Sequence, residues 1–199
     1  VVVAMGSVTE CAEEVVEHLV AKGEKVGLVK VHLYRPFDTK KFAEAVPATA
    51  KRIAVLDRTI EQGSIYEPLC LDVQSVYYGK ANAPLIVGGR YGLSSKDTTP
   101  DLINAVYCNL KAEQPKDHFV IGINDDIDHT SLEVTESIDV CDPTTTELLF
   151  FGLGSDGTVG ACKNISKIVG DYTEYYSQSY AAYDSKKSGG STRLHLRFS

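Results

Sequence analysis

The stretch FFGLGSDGTVGACKN, residues 150–164, decides how the second part of this chain folds. Two bulky aromatic residues lead into four closely spaced glycines, and a helix-like pattern follows at Lys163 and Asn164. The order predicts a strand, a glycine-rich turn and the start of a helix. Glycine lets the backbone approach a ligand closely, and a helix N-terminus offers unpaired N–H groups to an anion. The GxGxxG spacing alone is a weak signal, so the surrounding residues determine its value.

A strand–helix–strand pattern surrounds this turn. Apolar residues predict a strand over 148–152, a helix near 159–169 and a strand near 176–183. A right-handed crossover places the ends of both strands on one side of the sheet, where ligands of open α/β sheets bind. An anion or a cofactor is therefore expected there. The predicted binding residues are Gly152, Gly154, Ser155, Gly157, Lys186 and Lys187.

Other interpretations of this segment stay open. The glycines can serve only a tight turn and close packing of the helix. A nicotinamide site requires an acidic residue after the second strand, and Asp184 lies farther along than the usual ~20 residues. The lysines beside Asp184 favour a phosphate instead. Cys162, near the helix start, is either a packing residue or a reactive thiol.

Strand and helix signals alternate through residues 1–123. Strand-like runs lie at 1–5, 26–33, 53–56, 85–87 and 119–123, and helical patterns lie near 12–20, 42–46, 67–77 and 100–110. Most strand-like runs are apolar throughout, which is typical of strands buried on both faces. The predicted fold class is α/β, an open and mostly parallel sheet flanked by helices, followed by a partial second α/β unit. The acidic stretch 124–145 is predicted to connect domains over 1–123 and 146–199.

A polar loop with several glycines follows the fourth strand over residues 88–97. It contains Arg90 and Lys96. Because such loops often contact a ligand or a neighbouring domain, these two cations are predicted interface residues. The alternative is a solvated turn in which they pair with Asp57 or Asp97.

Composition excludes several classes of partner. The net charge of −7 argues against nucleic acid or an anionic membrane as the main partner. The five cysteines are scattered and form no CxxC, so no metal site is expected from this chain alone. Free thiols in a reducing compartment are the simpler interpretation. No residue is predicted to be catalytic. Val1 already stands inside a strand-like run, so we expect a piece of a longer polypeptide.

Several long strings of this sequence resemble one enzyme family, pyruvate:ferredoxin oxidoreductase. The resemblance covers essentially the whole chain and is far more specific than the glycine motif. The strings are VVVAMGSVTECAEEVVEHL (1–19), EKVGLVKVHLYRPF (24–37), KRIAVLDRTIEQGSIYEPL (51–69), IVGGRYGLSSKDTTP (86–100), DDIDHTSL (125–132), FFGLGSDGTVGACKN (150–164) and AAYDSKKSGG (181–190).

The resemblance implies a parent enzyme that oxidatively decarboxylates pyruvate to acetyl-CoA and CO2. Its implied cofactors are thiamine diphosphate, Mg2+ and [4Fe–4S] clusters, with coenzyme A as co-substrate; none is expected to be fully bound by this chain. The implied partners are the remaining domains of the parent polypeptide, a second subunit in a homodimer, and ferredoxin, flavodoxin or a fused reductase. The cytoplasm or a reducing organelle is the implied location.

The resemblance also assigns the two segments. Residues 1–123 resemble a domain with a transketolase C-terminal-like fold, and residues from 146 onward resemble the start of the gamma domain. In the family the gamma domain is associated with coenzyme A access, which favours the Gly152–Gly157 turn and Lys186/Lys187 as ligand-facing. Cys162 stands where the family string usually has Asn. A pyruvate:NADP+ oxidoreductase, another 2-oxoacid oxidoreductase, or a stand-alone nucleotide-binding or assembly module remain alternatives.

Overall fold

The structure is a computed structural model that describes residues 1–93, 96–184 and 189–199. Contacts divide the chain into two compact units, Val1–Val140 and Cys141–Ser199.

The first unit is built on a five-stranded parallel sheet. Its strands are β1 (Val2–Ala4), β2 (Leu28–Lys30), β3 (Arg52–Asp57), β4 (Leu85–Arg90) and β5 (Phe119–Val120). They lie in the order β2-β1-β3-β4-β5, and every neighbouring pair is parallel. The helices are α1 (Val8–Ala21), α2 (Thr39–Ala45), α3 (Pro68–Tyr77) and α4 (Pro100–Lys111). The predicted α/β class is confirmed.

Both faces of this sheet are buried, because alternate residues of a strand point to opposite faces. In β1, Val2 and Ala4 belong to the apolar cluster that includes α1 and α4. Val3, between them, belongs to the cluster that includes α2 and α3. All three are fully buried, which explains why the strand is apolar throughout.

The acidic stretch after β5 packs partly on the first unit. Ser131 forms an isolated parallel bridge with Val120. Ile138 is buried in the α1/α4 cluster, and its N–H donates to the Asp101 carboxylate at 2.7 Å. These contacts place residues up to Val140 within the first compact unit.

The second unit is a three-stranded sheet with one helix. Its elements are β6 (Thr146–Leu153), α5 (Thr158–Tyr172), β7 (Ser177–Tyr183) and β8 (Ser191–Phe198). The strand order is β6-β8-β7, and β8 is antiparallel to both neighbours. β6 and β7 are therefore parallel to each other, as a strand–helix–strand crossover requires, but β8 lies between them.

One helix face closes the core of the second unit. Cys162 of α5 is fully buried against Leu194 and Leu196 of β8, with Phe150 of β6 packed beside them. These residues lie on one face of the sheet, because even-numbered positions of β6 and β8 pair across the ladder. A short apolar stripe on α5 therefore holds the unit together.

Among the described residues, no helix has both the length and the apolar character that crossing a membrane requires.

Candidate functional site

The C-terminal ends of β6 and β7 lie at the same edge of the second sheet. The Gly154 N–H donates to the Gly190 carbonyl at 3.1 Å, and the Asp184 N–H donates to the Ser191 carbonyl at 3.1 Å. Both bonds reach the start of β8, which lies between the two strand ends. The glycine turn and Asp184 therefore lie at this edge, beside Gly190 and Ser191.

The glycines of the turn fall into two kinds. Gly154 and Gly157 have φ of +60° and +90° and are exposed. Among the described residues, no heavy atom would lie within 4 Å of a Cβ added at either position. Gly152 is buried, and a Cβ there would lie 2.9 Å from Cβ of Thr158. Gly152 therefore permits close approach of the helix start, whereas Gly154 and Gly157 leave the backbone open to solvent.

Asp156 occupies the inside of the turn. Its carboxylate accepts the Leu153 N–H and the Thr158 N–H, both at 2.9 Å. These backbone donors hold the pKa of Asp156 below its ordinary value. Sequence reasoning missed this role, although an aspartate before glycine in a turn is a known signal for such bonds. The carboxylate takes two amides that an anion would otherwise use.

The donors left for a ligand lie farther along the turn and helix. The first amides of a helix have no partner within the helix, so Val159 and Gly160 supply N–H groups beyond Thr158. The Ser155 side chain is exposed at the tip of the turn. Lys186 and Lys187 lie outside the described residues. The binding role of these residues stays a prediction.

Gly157 in the turn and Gly160 in α5 allow a matched test of the turn geometry. We expect Gly157→Ala to destabilise the second unit by about 1 kcal/mol, because alanine at positive φ costs about 1–2 kcal/mol. Gly160→Ala, inside α5 and without a positive φ, is expected to stabilise it by about 0.5–1 kcal/mol.

The buried Cys162 thiol reports unfolding of this unit alone. Its labelling rate by a thiol reagent, followed by mass spectrometry over a urea series, gives the free energy of unfolding for each variant. Equal effects of the two alanines on this free energy would contradict the assigned backbone geometry.

A second polar cluster lies at the C-terminal edge of the parallel sheet. Asp57, the last residue of β3, is 1% exposed. Its two carboxylate oxygens accept the Leu69 N–H and the Cys70 N–H, each at 3.1 Å, at the start of α3. Burial raises the pKa of Asp57 even though these two hydrogen bonds lower it. This carboxylate caps α3 from inside the protein.

Arg90 is held within the same cluster. Its Nε donates to Glu67 Oε1 at 2.6 Å, and Glu67 is 3% exposed. The sequence indicated Asp57 or Asp97 as alternative partners, but Asp57 is already occupied by α3. Lys96 is exposed. The role of Arg90 and Lys96 at an interface stays a prediction.

The described residues contain no group of three or more His, Cys, Asp or Glu side chains that could hold a metal ion. All five cysteines are described, and none forms a disulfide. Burial raises the pKa of Cys70 to about 12 and also raises the pKa of Cys162. A buried thiol with a raised pKa favours the packing interpretation of Cys162.

Two family models match the chain. One, described as pyruvate:ferredoxin oxidoreductase core domain II, matches residues 1–103. The other, described as pyruvate ferredoxin/flavodoxin oxidoreductase, matches residues 147–199. The first match covers β1 to β4 and ends within α4, and the second covers the glycine turn and all of the second sheet except Thr146.

Curated relatives align along the whole chain. A pyruvate:ferredoxin oxidoreductase of Moorella thermoacetica is 57% identical over 198 residues, which is 100% of this chain and 17% of the relative. A pyruvate-flavodoxin oxidoreductase of Enterobacter agglomerans is 54% identical over 99% of this chain and 17% of the relative. A probable pyruvate-flavodoxin oxidoreductase of Escherichia coli is 47% identical over 100% of this chain. The chain spans about one sixth of the length of these relatives.

Proposed function

Because the chain belongs to the pyruvate:ferredoxin oxidoreductase family, we propose that it is part of an enzyme that oxidatively decarboxylates pyruvate. In the overall reaction, pyruvate and coenzyme A give acetyl-CoA, CO2, two electrons and one proton. Ferredoxin or flavodoxin accepts the electrons, as the names of the relatives suggest. The same proposal includes a transketolase C-terminal-like domain over 1–123, an arm over 124–145 and a gamma-type domain over 146–199.

Within that enzyme, the chain has a structural and interface role, and one of its surfaces faces a ligand. The iron–sulfur clusters are assigned to other parts of the parent polypeptide, because the described residues contain no group of cysteines that could hold one. Thiamine diphosphate and Mg2+ are likewise assigned to the rest of the polypeptide. Cluster chemistry requires several thiolates close together. A reducing compartment suits both such clusters and the free thiols of this chain.

The glycine turn is the proposed contact with coenzyme A. The observation that carries this proposal is the meeting of the C-terminal ends of β6 and β7 at an open, glycine-lined backbone. Phosphate groups bind well to helix N-termini and to ammonium groups. Because Asp156 takes the Leu153 and Thr158 amides, the lysines at 186 and 187 must supply much of the attraction.

A charge reversal tests this contact. In the complete polypeptide, we expect Lys186→Glu with Lys187→Glu to raise the KM for coenzyme A by about tenfold or more while kcat changes little. The KM for pyruvate is expected to stay unchanged, since the proposed lysine contact is with the phosphates of coenzyme A. The measurement is pyruvate-dependent reduction of ferredoxin at varied coenzyme A concentration.

The adjacent exposed lysines Lys40 and Lys41 provide a matched control with the same change in charge. Lys40→Glu with Lys41→Glu is expected to leave both KM values unchanged. An unchanged KM for coenzyme A in the Lys186/Lys187 variant would overturn the proposed contact. An enzyme without pyruvate-dependent ferredoxin or flavodoxin reduction would overturn the parent reaction itself.

A further inference from the structure

The sheet of the second unit is covered by α5 on one face only. On the opposite face, Leu149, Phe151 and Leu153 of β6 are 50%, 68% and 71% exposed. They alternate with the residues that pack toward α5, such as Phe150. A row of three large apolar side chains on one strand is more than the isolated exposed residues of an ordinary surface, and such patches mark interaction sites.

The central strand places a basic row beside the apolar row. Arg193 and His195 of β8 stand opposite Phe151 and Leu149 in the antiparallel ladder, and Arg197 stands opposite Glu147. We call the surface formed by the apolar row and this basic row the open face. Within residues 1–93, 96–184 and 189–199, neither arginine has a carboxylate oxygen within 4.0 Å.

One further contact holds side chains of the open face in place. The ring of Tyr180, on β7, stacks on the imidazole of His195 with centroids 4.6 Å apart and planes 5° apart. The stack lies next to Leu149 in register. A pre-formed surface of this kind costs little side-chain entropy when a partner binds.

We propose that the open face is the docking surface for an amphipathic helix from the part of the parent polypeptide outside these 199 residues. The helix lays an apolar stripe along Leu149, Phe151 and Leu153 and presents acidic side chains to Arg193 and Arg197. This inference rests on the proposed function, in which the chain is part of a longer polypeptide that supplies the helix. The relatives are about six times as long as this chain. The family match over 147–199 includes every strand of this sheet.

The dimensions of the face fit a single helix. Three strands spaced at about 4.8 Å present a surface roughly as wide as one helix, whose diameter with side chains is about 10–12 Å. The apolar row from Leu149 to Leu153 extends about 13 Å at ~3.3 Å per residue, which matches about nine residues of helix. Helices pack in this way on the free faces of α/β sheets.

Charge argues against a second copy of the same face. Two copies packed face to face would bring Arg193 and Arg197 of each into one interface, with Glu147 as the acidic residue opposite Arg197 on the ladder. Burying two arginines of each copy with only one carboxylate of each copy is unfavourable. An acidic helix supplies the missing carboxylates, so it is the occupant that the face favours.

Cysteine accessibility tests the proposal. Phe151→Cys is introduced in the 199-residue chain and in the complete polypeptide, and labelling by a maleimide at position 151 is followed by mass spectrometry. We expect labelling in the complete polypeptide to be at least about tenfold slower, because the helix excludes the reagent. Equal rates in the two proteins would overturn the inference.

A separate pair of variants tests whether the docked helix is acidic. In the complete polypeptide, Arg193→Glu with Arg197→Glu is expected to restore fast labelling at Cys-substituted position 151, whereas Arg193→Lys with Arg197→Lys leaves it slow. Protection unaffected by the glutamates would overturn the proposed charge pairing. Pyruvate oxidation is assayed separately in the unsubstituted enzyme, so failure of the proposed function is distinguishable from failure of the docking inference.

Two other occupants appear as distinct outcomes. Protection of position 151 in the 199-residue chain that increases with its concentration would identify a second copy and overturn the proposal. Co-sedimentation of the 199-residue chain with phosphatidylserine vesicles, abolished by Phe151→Glu, would identify a membrane surface and overturn it equally.

Discussion

Gly89→Ala is expected to destabilise the Val1–Val140 unit by about 3 kcal/mol, the upper range for overpacking a buried core. Gly89 lies in β4 and pairs directly with Phe119 of β5. A Cβ at position 89 would overlap the edge of the Phe119 ring at Cε2 and Cζ. Because Phe119 is fully buried, its ring has no free space to move into.

Labelling of the buried Cys70 thiol over a urea series measures the free energy of unfolding of this unit. Gly27→Ala is the matched control: a Cβ there would lie 3.9 Å from Val1 Cγ2, an ordinary contact. We expect its effect to stay within about 0.5 kcal/mol. A Gly89→Ala effect as small as that of the control would contradict the close packing of β4 on Phe119.

A second substitution identifies the ring as the cause. Phe119→Leu removes the ring edge that the new methyl group would meet, at its own cost of about 1–2 kcal/mol. The double variant is therefore expected to be more stable than the sum of the single effects predicts, by about 1–2 kcal/mol. Additive effects would assign the loss to the backbone of β4 instead.

The parallel sheet was predictable because each of its strands has its own apolar run in the sequence. Val2, Val3 and Ala4 are apolar in succession, and burial on both faces is the physical reason. Helix starts were also visible, since proline stands at the first position of α3 and α4. Such signals are local, so a single sequence contains them.

The order of the second sheet was not predictable in the same way. The crossover from β6 through α5 to β7 follows from chain order and handedness. The insertion of β8 between them depends on which strand edges β8 pairs with. The alternation of apolar residues at Leu194, Leu196 and Phe198 predicts only that a strand exists there. Pairing partners are long-range properties that local patterns do not determine.

The glycine turn was predictable in position but not in its inner contacts. The glycine spacing located an exposed turn at a strand end, as found. The sequence did not indicate that Asp156 would fill the turn, or that Glu67 would pair with Arg90 while Asp57 caps α3. Each of these contacts depends on the distance between a helix start and a strand end. The sequence does not determine that distance to within a few ångströms.

Asp57→Ala is expected to cost about 3 kcal/mol of the free energy of unfolding of the first unit. The substitution leaves the Leu69 and Cys70 amides without acceptors, and an unsatisfied buried donor costs about 1–3 kcal/mol. Asp57→Asn keeps the shape but places an NH2 group against one of the two amides. We therefore expect it to cost about 2 kcal/mol.

The buried carboxyl also makes stability depend on pH. Its pKa is raised in the folded protein, mainly by burial. Between the unfolded pKa of about 3.9 and the raised folded pKa, the folded state binds more protons than the unfolded state. The contribution of Asp57 to stability therefore falls as pH increases through that window. The stability difference between the unsubstituted protein and Asp57→Asn is expected to narrow over the same window.

A second, exposed aspartate cap allows the effect of burial on stability to be separated from the effect of the hydrogen bonds. Asp38 accepts the Lys40 and Lys41 amides at the start of α2, as Asp57 does for α3, but from the surface. Asp38→Ala is expected to cost about 1 kcal/mol, the ordinary loss of a helix N-cap. Urea unfolding followed by Cys70 labelling at several pH values compares the two aspartates directly. If both alanine variants lose the same free energy at every pH, burial adds nothing to the Asp57 cap, and the raised pKa assigned to Asp57 is contradicted.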